Sequence, residues 1–297
     1  MAKKMLIITA GNEAKLLDFK KEAKILGLDV TCASFGDISF DSKKTGADFI
    51  LKVRGKRVED FDLIYIRLVG KRLEEATILA NYAKDKGIKI VDKIYSNSLL
   101  MPVSLAKSLE TLLLVKANVS LPKTLFGSLV AIEKKGPKYL GFPYVIKSTS
   151  GKKAREVWSP TNTRDLLKLL KSLKSKEEKG MKFFAQEFVK ASQRIRVLVL
   201  DGKVLAAITQ PTKWKMRFSQ KEAVRGILKP VPQKISNLTL KAVRAVSLDI
   251  AGVDILVDDE TNRLYVIEVN AAPSWGLIKK YSGVNIEREI LKFLSKL

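Results

Sequence analysis

Gly252-Val253-Asp254-Ile255-Leu256-Val257-Asp258-Asp259-Glu260-Thr261-Asn262-Arg263-Leu264-Tyr265-Val266-Ile267-Glu268-Val269-Asn270-Ala271-Ala272-Pro273 reads as two apolar strands joined by a polar turn. Successive side chains of a strand point to opposite faces, so Glu268 and Asn270 share one face. With the turn centred on residues 259–263, Asp254 falls opposite Glu268 on that same face. Three oxygen-bearing side chains then converge among Val, Ile and Leu. Carboxylates in such surroundings are costly unless they are paired or bound to a cation. Two carboxylates and an amide suit Mg²⁺, which keeps few protein ligands and shares the rest of its shell with substrate phosphates. An ordinary edge hairpin with outward-facing polar residues would show the same spacing.

The composition narrows the chemistry available around that hairpin. The 297 residues contain no histidine. That removes Ser-His-Asp and Cys-His catalysis and every His-ligated zinc site, leaving oxygen ligands and therefore Mg²⁺ or Mn²⁺. The single cysteine, Cys32, sits in an apolar stretch and reads as a small core residue. No apolar run approaches the ~18 residues of a membrane helix. Asn12-Glu13 ends the first apolar run too early for a signal peptide, so a cytoplasmic protein is expected, with no membrane partner. Lys and Arg number 55 against 31 Asp and Glu, a net charge of +24. This favours a polyanionic partner such as nucleic acid, a ribosome or an acidic peptide, or else a solvated basic surface.

The rest of the chain divides by pattern. Up to about residue 100, short apolar strands at Met5–Thr9, Asp29–Phe35, Asp62–Ile66 and Ile88–Val91 alternate with helix-like stretches at Glu13–Leu26 and Glu74–Lys86. Such alternation predicts a small parallel α/β domain. No Gly-x-Gly-x-x-Gly follows the first strand, so no dinucleotide site is expected there. Beyond residue 100 the pattern becomes α+β. Helices are predicted over Ser104–Ala117, Asn162–Lys174, Leu238–Asp249 and Asn285–Lys296. Strands are predicted over Pro143–Lys147, Glu156–Ser159 and Phe183–Val189. Arg194–Leu200 and Lys203–Gln210 form a hairpin turned by Asp201-Gly202.

Gly252-Val-Asp-Ile-Leu followed by Val266-Ile-Glu-Val-Asn-Ala-Ala-Pro273 resembles the terminal motif of ATP-grasp enzymes, especially the RimK-like group. In that family the Asp, Glu and Asn of the motif hold Mg²⁺ on the ATP phosphates. The resemblance therefore implies metal ligands at Asp254, Glu268 and Asn270. It implies an ATP-grasp fold over residues 101–297, with a lid subdomain over about 101–182 and a metal-binding subdomain over about 183–297. Residues 1–100 would form a Rossmann-like pre-ATP-grasp domain. Pro143-Tyr-Val-Ile-Lys147 is similar to the strand whose lysine reaches the phosphates, and Lys107 stands where a second such lysine occurs. Phe184-Ala-Gln186-Glu187-Phe188-Val189 resembles the linker strand that contacts adenine. Arg217, and less directly Arg67, would hold a substrate carboxylate as a fork.

The implied activity is ATP-dependent joining of a carboxylate to an amine through an acyl phosphate, with glutamate or an acidic peptide tail as a substrate. The oligomeric state is left open. The chain departs from the family pattern in four places, one being Lys215-Met-Arg217-Phe-Ser-Gln220, which offers Arg217 but not the family's asparagine. The phosphate loop carries only Gly151, Arg194 stands where the family has an aspartate near the ribose, and Gln210 stands where a basic residue is common. These departures and the +24 charge support one alternative, a weakened protein that binds nucleotide or a polyanion without ligating; a second alternative is a ligase of small amino acids or peptides in biosynthesis.

Overall fold

Apolar runs with β-branched residues build the N-terminal sheet in the computed structural model, which describes residues 3–41, 49–95, 106–149, 156–212 and 224–297. β1 (Lys4–Thr9) is followed by α1 (Leu17–Ile25), whose entry turn is capped by Asn12 accepting from the Ala14 N–H at 2.8 Å. Next come β2 (Asp29–Ser34), β3 (Ile38–Asp41), β4 (Ile50–Val53), β5 (Lys56–Arg57), β6 (Leu63–Leu68), α2 (Leu73–Asp85) and β7 (Lys89–Ile90). The main sheet runs β2-β1-β6-β7 with every pair parallel. Its alternation decides what each face covers. Leu6, Ile8, Ile64 and Ile66 pack with Leu79 and Ala83 of α2, while Met5, Ile7, Leu63 and Tyr65 join a core that extends into the C-terminal helices. Strands β3, β4 and β5 form a small antiparallel sheet that is not evident in the sequence, because runs of four, four and two residues are too short for periodicity to mark them as strands.

After α3 (Lys107–Lys116) a second layer begins with β8 (Thr124–Phe126), α4 (Leu129–Leu140), β9 (Tyr144–Ser148), β10 (Val157–Trp158), α5 (Thr163–Glu178) and β11 (Phe183–Glu187). These strands form an antiparallel sheet in the order β10-β9-β11-β8, backed by α4 and α5. Helix α4 is not evident in the sequence because Gly136 and Pro137 read as breakers. It forms through a Ser128 cap and its apolar face. Gly136 is needed there, since a Cβ would lie 2.9 Å from the Tyr144 hydroxyl.

The third layer contains β12 (Gln193–Leu200), β13 (Lys203–Pro211), β14 (Gly226–Ile227), α6 (Gln233–Ala245), β15 (Ile250–Val257), β16 (Leu264–Asn270), α7 (Gly276–Ser282) and α8 (Ile286–Lys296). Its antiparallel sheet runs β14-β13-β12-β15-β16. Asp201 and Gly202 both take positive φ, as the predicted two-residue turn requires. Helix α6 starts earlier than the expected Leu238. It begins directly after Pro232, and Ser247, in the left-handed region at φ 56°, closes the turn beyond its end, short of Asp249. The predicted start of the earlier helix at Ser104 lies outside the described residues.

Candidate functional site

The β15–β16 register pairs Asp254 with Glu268 and Gly252 with Asn270. The predicted alignment of the three oxygen-bearing side chains on one face is therefore present. Gly252 is required at its place: Pro273 folds back over it, and a Cβ there would lie 2.6 Å from the Pro273 Cβ. The Asn270-to-Pro273 segment is thus held down across the end of the hairpin.

The counter-charges for this hairpin come from the protein. Arg196 on β12 is the cross-strand partner of Asp254 and binds it with two hydrogen bonds of 2.7 Å, from Nε and Nη2. Asp254 is buried, and both its oxygens are used. Glu268 is more open. Its Oε1 lies 2.7 Å from the Lys107 Nζ, and Asn270 donates to it. Burial works to raise the Glu268 carboxyl, but Lys107, by charge and hydrogen bond, together with the Asn270 hydrogen bond and the charge of Arg196, holds the group below its ordinary value. Lys107 also contacts Glu110 Oε2 at 2.8 Å, one turn along α3. Glu110 Oε1 accepts the Val269 N–H at 2.6 Å, so this buried acid ties the helix to the metal-motif strand. Glu110 does not stand out in the sequence. Its only local signal is a charged residue on an apolar-rich helix three places after Lys107.

The β10-β9-β11-β8 sheet, within the segment expected from sequence to be a lid, supplies the opposing cation. Lys147 on β9 donates to Gln186 Oε1 at 2.6 Å across the β9–β11 pairing, and Gln186 donates onward to Thr124 Oγ1 at 3.0 Å. Burial, together with the charge of Lys107, pushes the Lys147 ammonium down to about 8, while Glu268 and Glu110 act in the opposite sense. Lys107, Lys147, Glu110 and Glu268 therefore form one electrostatic cluster drawn from separate elements of the fold. Glu187 exchanges hydrogen bonds with Lys123: its N–H donates to the Lys123 carbonyl at 2.8 Å, and Oε2 accepts the Lys123 N–H at 3.1 Å. That N–H is already engaged. Val189 lies just beyond the end of β11, partly buried. Arg217 and residues 150–155 of the phosphate loop lie outside the described residues.

Two of the departures noted in sequence prove to be one. Arg194 and Gln210 are cross-strand partners on β12 and β13, joined by a 3.1 Å hydrogen bond from Arg194 Nη2 to Gln210 Oε1. Arg194 Nη1 also approaches Asp254 at 3.7 Å. An arginine and an amide thus stand at the pair of positions where the family resemblance leads one to expect an acid and a base.

Among the described residues no three or more His, Cys, Asp or Glu side chains converge on a metal site. The candidate donor set is two carboxylates and an amide. Glu268 and Asn270, adjacent and partly exposed, have the oxygen chemistry and access that a hard divalent cation needs. Asp254 joins them only if Arg196 yields.

A family model for the RimK-like ATP-grasp domain matches residues 105–294. The tetrahydromethanopterin:alpha-L-glutamate ligase of Methanocaldococcus jannaschii is 36% identical over 129 residues, or 41% of this chain and 43% of that protein. A probable alpha-L-glutamate ligase of Histophilus somni is 25% identical over 195 residues, 64% of this chain and 63% of that one. The chain's match spans less than two thirds of the length of these curated relatives. Among solved structures, the ATP-grasp ligase PsnB complexed with minimal precursor has a TM-score of 0.73 over 99% of both chains at 16% identity. The D-alanine–D-alanine ligase of Bacillus anthracis has a TM-score of 0.65, 16% identity, and coverage of 99% of this chain and 97% of its own. The fold is that of the ATP-grasp ligases.

Proposed function

The chain belongs to the RimK-like ATP-grasp family, and from that premise we propose that it is an ATP-dependent carboxylate–amine ligase that makes an amide or peptide bond through an acyl phosphate. The observation that carries the reading is the cluster of Lys107 and Lys147 with Glu268 and Asn270. Lys107 touches Glu268, and Lys147 stands within electrostatic reach of it; two ammonium groups beside a pair of oxygen donors suit a triphosphate and its divalent cation.

ATP is a substrate in this reading. Lys147 and Lys107 act as point charges for phosphate oxygens, with Lys107 leaving Glu268 to do so. Glu268 and Asn270, joined by Asp254 when Arg196 withdraws, would hold Mg²⁺ or Mn²⁺. When bound, that ion neutralises the phosphate oxygens and polarises the phosphorus. The substrate carboxylate oxygen attacks the γ-phosphorus, the bond to the bridging oxygen breaks, and ADP departs. The amine nitrogen then attacks the acyl carbon, inorganic phosphate leaves with the bonding pair, and the amine proton passes to phosphate or water. No protein nucleophile enters either step, which suits a chain without histidine.

The segment from Gln186 through Glu187 to Val189 is the proposed adenine contact, and Arg217 is a proposed contact for a substrate carboxylate. The proposed organisation is a pre-ATP-grasp domain over 1–100 and an ATP-grasp domain over 101–297. Glutamate, or an acidic peptide tail, is the proposed substrate, in keeping with the glutamate ligases it resembles. Residues 123–182 carry fifteen Lys and Arg against five Asp and Glu, which supports an acidic or polyanionic partner at the lid. Among the described residues no helix is long and apolar enough to cross a membrane, and the proposed location is the cytoplasm. The Arg194–Gln210 pair favours a second reading, a nucleotide binder that does not ligate.

ADP release in the presence of Mg²⁺, screened with each amino acid and with glutamate-rich peptides, separates the two. Stimulation by an amino acid or peptide supports the ligase. Calorimetric ATP binding with no stimulated release supports the binder.

A further inference from the structure

The parallel order β2-β1-β6-β7 has its switch point between β1 and β6, where successive connections leave in opposite directions. In open parallel sheets the crevice beyond the carboxyl ends of the strands at such a point is where ligands bind. Arg67 stands at that end of β6. The pleat sets Leu63 and Tyr65 on one face, and Arg67, where the β1–β6 register shifts, reaches Trp275 of the same core. The first two are sealed into the core shared with the C-terminal helices, and Arg67, one step further along, is only partly buried.

Among the described residues the Arg67 guanidinium is held in place without a carboxylate partner. It stacks on the Trp275 ring at 3.8 Å and donates one hydrogen bond, from Nη2 to the Pro273 carbonyl at 2.7 Å. Among the described residues no carboxylate lies within ion-pair distance of it. The nearest acid by its electrostatic effect, Glu287, is taken up by Trp275 Nε1 at 2.8 Å and Lys279 Nζ at 2.9 Å. A guanidinium carries five N–H donors, and among the described residues one finds an acceptor. The stack fixes the plane of the fork, so its remaining donors are oriented before any ligand arrives. The location is also right for chemistry. Pro273 is three residues beyond Asn270, so its Cα lies within roughly 11 Å of the Asn270 Cα even for an extended chain. An amino acid could bridge that gap.

We propose that Arg67 binds a carboxylate of the incoming amino acid, the substrate that supplies the amine. This rests on the ligase reading for its substrate class. The carboxylate is not the one activated by ATP; it positions the amine and leaves the reaction unchanged. Arg67, Trp275 and the Pro273 carbonyl make the site, with Trp275 setting the guanidinium plane and Pro273 tying it to the metal-motif strand.

Calorimetry with L-glutamate, its α-amide and its γ-amide on the wild type, Arg67→Lys and Arg67→Gln tests this. Wild type is expected to bind L-glutamate about tenfold to a hundredfold more tightly than the amide lacking the recognised carboxylate, the scale of a lost charged hydrogen bond. Arg67→Gln should lose that discrimination and Arg67→Lys should keep part of it. The choice between the two amides identifies the carboxylate. Equal affinity of wild type and Arg67→Gln for L-glutamate, including no detectable binding to either, overturns the proposal. So does an identical acid-to-amide ratio in both proteins, which is what a purely structural anchor would give. ADP release by the wild type is measured separately. Release with no Arg67 effect on binding sinks this site and spares the ligase; an Arg67 effect on binding without release does the reverse.

Discussion

On the hairpin side of the site each carboxylate already faces a protein cation: Asp254 is bound by Arg196 at 2.7 Å, and Glu268 by Lys107 at 2.7 Å. On the lid side, among the described residues, Lys147 meets the amide oxygen of Gln186 at 2.6 Å and the face of the Phe184 ring at 5.7 Å but no carboxylate in hydrogen-bond contact, and its ammonium is pushed down to about 8. The two sides thus store opposite problems. The hairpin is neutral and must exchange a cation to admit metal. The lid holds a desolvated positive charge that a phosphate would satisfy. In the proposed reading, binding energy would come from different places: phosphate contact would relieve the lid, whereas metal entry at the hairpin would displace Lys107 and free it for the nucleotide.

Glu268→Ala tests the hairpin side most severely. Removing the exchangeable carboxylate should lower ADP release by about a thousandfold, the scale of several kcal/mol of lost metal-assisted charge stabilisation. The circular dichroism spectrum and the cooperative melt should be retained. A variant that still turns over within about tenfold of wild type, little more than 1.4 kcal/mol, would remove Glu268 from the metal site. Lys147→Ala attacks the lid side instead. It should weaken Mg·ATP by roughly 1–3 kcal/mol, the range for a hydrogen bond to a charged group. Unchanged affinity by calorimetry would take Lys147 out of the phosphate contact.

Glu110→Gln probes the hairpin from behind. It keeps a side-chain acceptor for the Val269 N–H but takes the buried acid from Lys107, and should reduce unfolding free energy by about 1–3 kcal/mol in urea titrations. An effect larger on ATP affinity than on stability would show that Glu110 serves the nucleotide more than the fold. The smallest effect concerns pH. Lys147 has a folded value of about 8, below its ordinary 10.5. Between those two values the unfolded chain binds more protons at this site than the native chain. Stability from this group therefore rises as pH rises through that window, and the burial penalty is fully present below it. Melting temperatures of wild type and Lys147→Met, followed from about pH 7 to about pH 10, should converge as pH increases. Mg·ATP affinity should fall above about pH 8 in wild type only. Parallel pH curves for the two proteins would show that Lys147 is not desolvated in this way.

Much of the hairpin side is legible in the sequence. Strand period two places Glu268 and Asn270 together whatever the fold does around them, and a polar turn of fixed length sets Asp254 opposite. The lid strand and its terminal Lys147 are legible for the same reason. The partner of each charge is not. From sequence the carboxylates need a partner or a bound cation, and the fold shows which protein partners stand beside them, Arg196 and Lys107. The hidden α4 and the displaced α6 have a related cause: a glycine against Tyr144 and a left-handed Ser247 make sense only beside neighbours that local propensity does not see.

The strands, their faces, the Asp254–Glu268 register and the oxygen-only chemistry of any metal site follow from the order of residues alone. They depend on side-chain alternation, turn length and residue type, all of which act over a few residues. Tertiary packing is what carries Glu110 to Val269 from 159 residues away, sets Lys107 between two acids, and lays Arg67 against Trp275. Those pairings depend on how separate layers close over shared cores. In such surroundings each charge must find a partner or remain at a cost, and no local rule names which partner lies near.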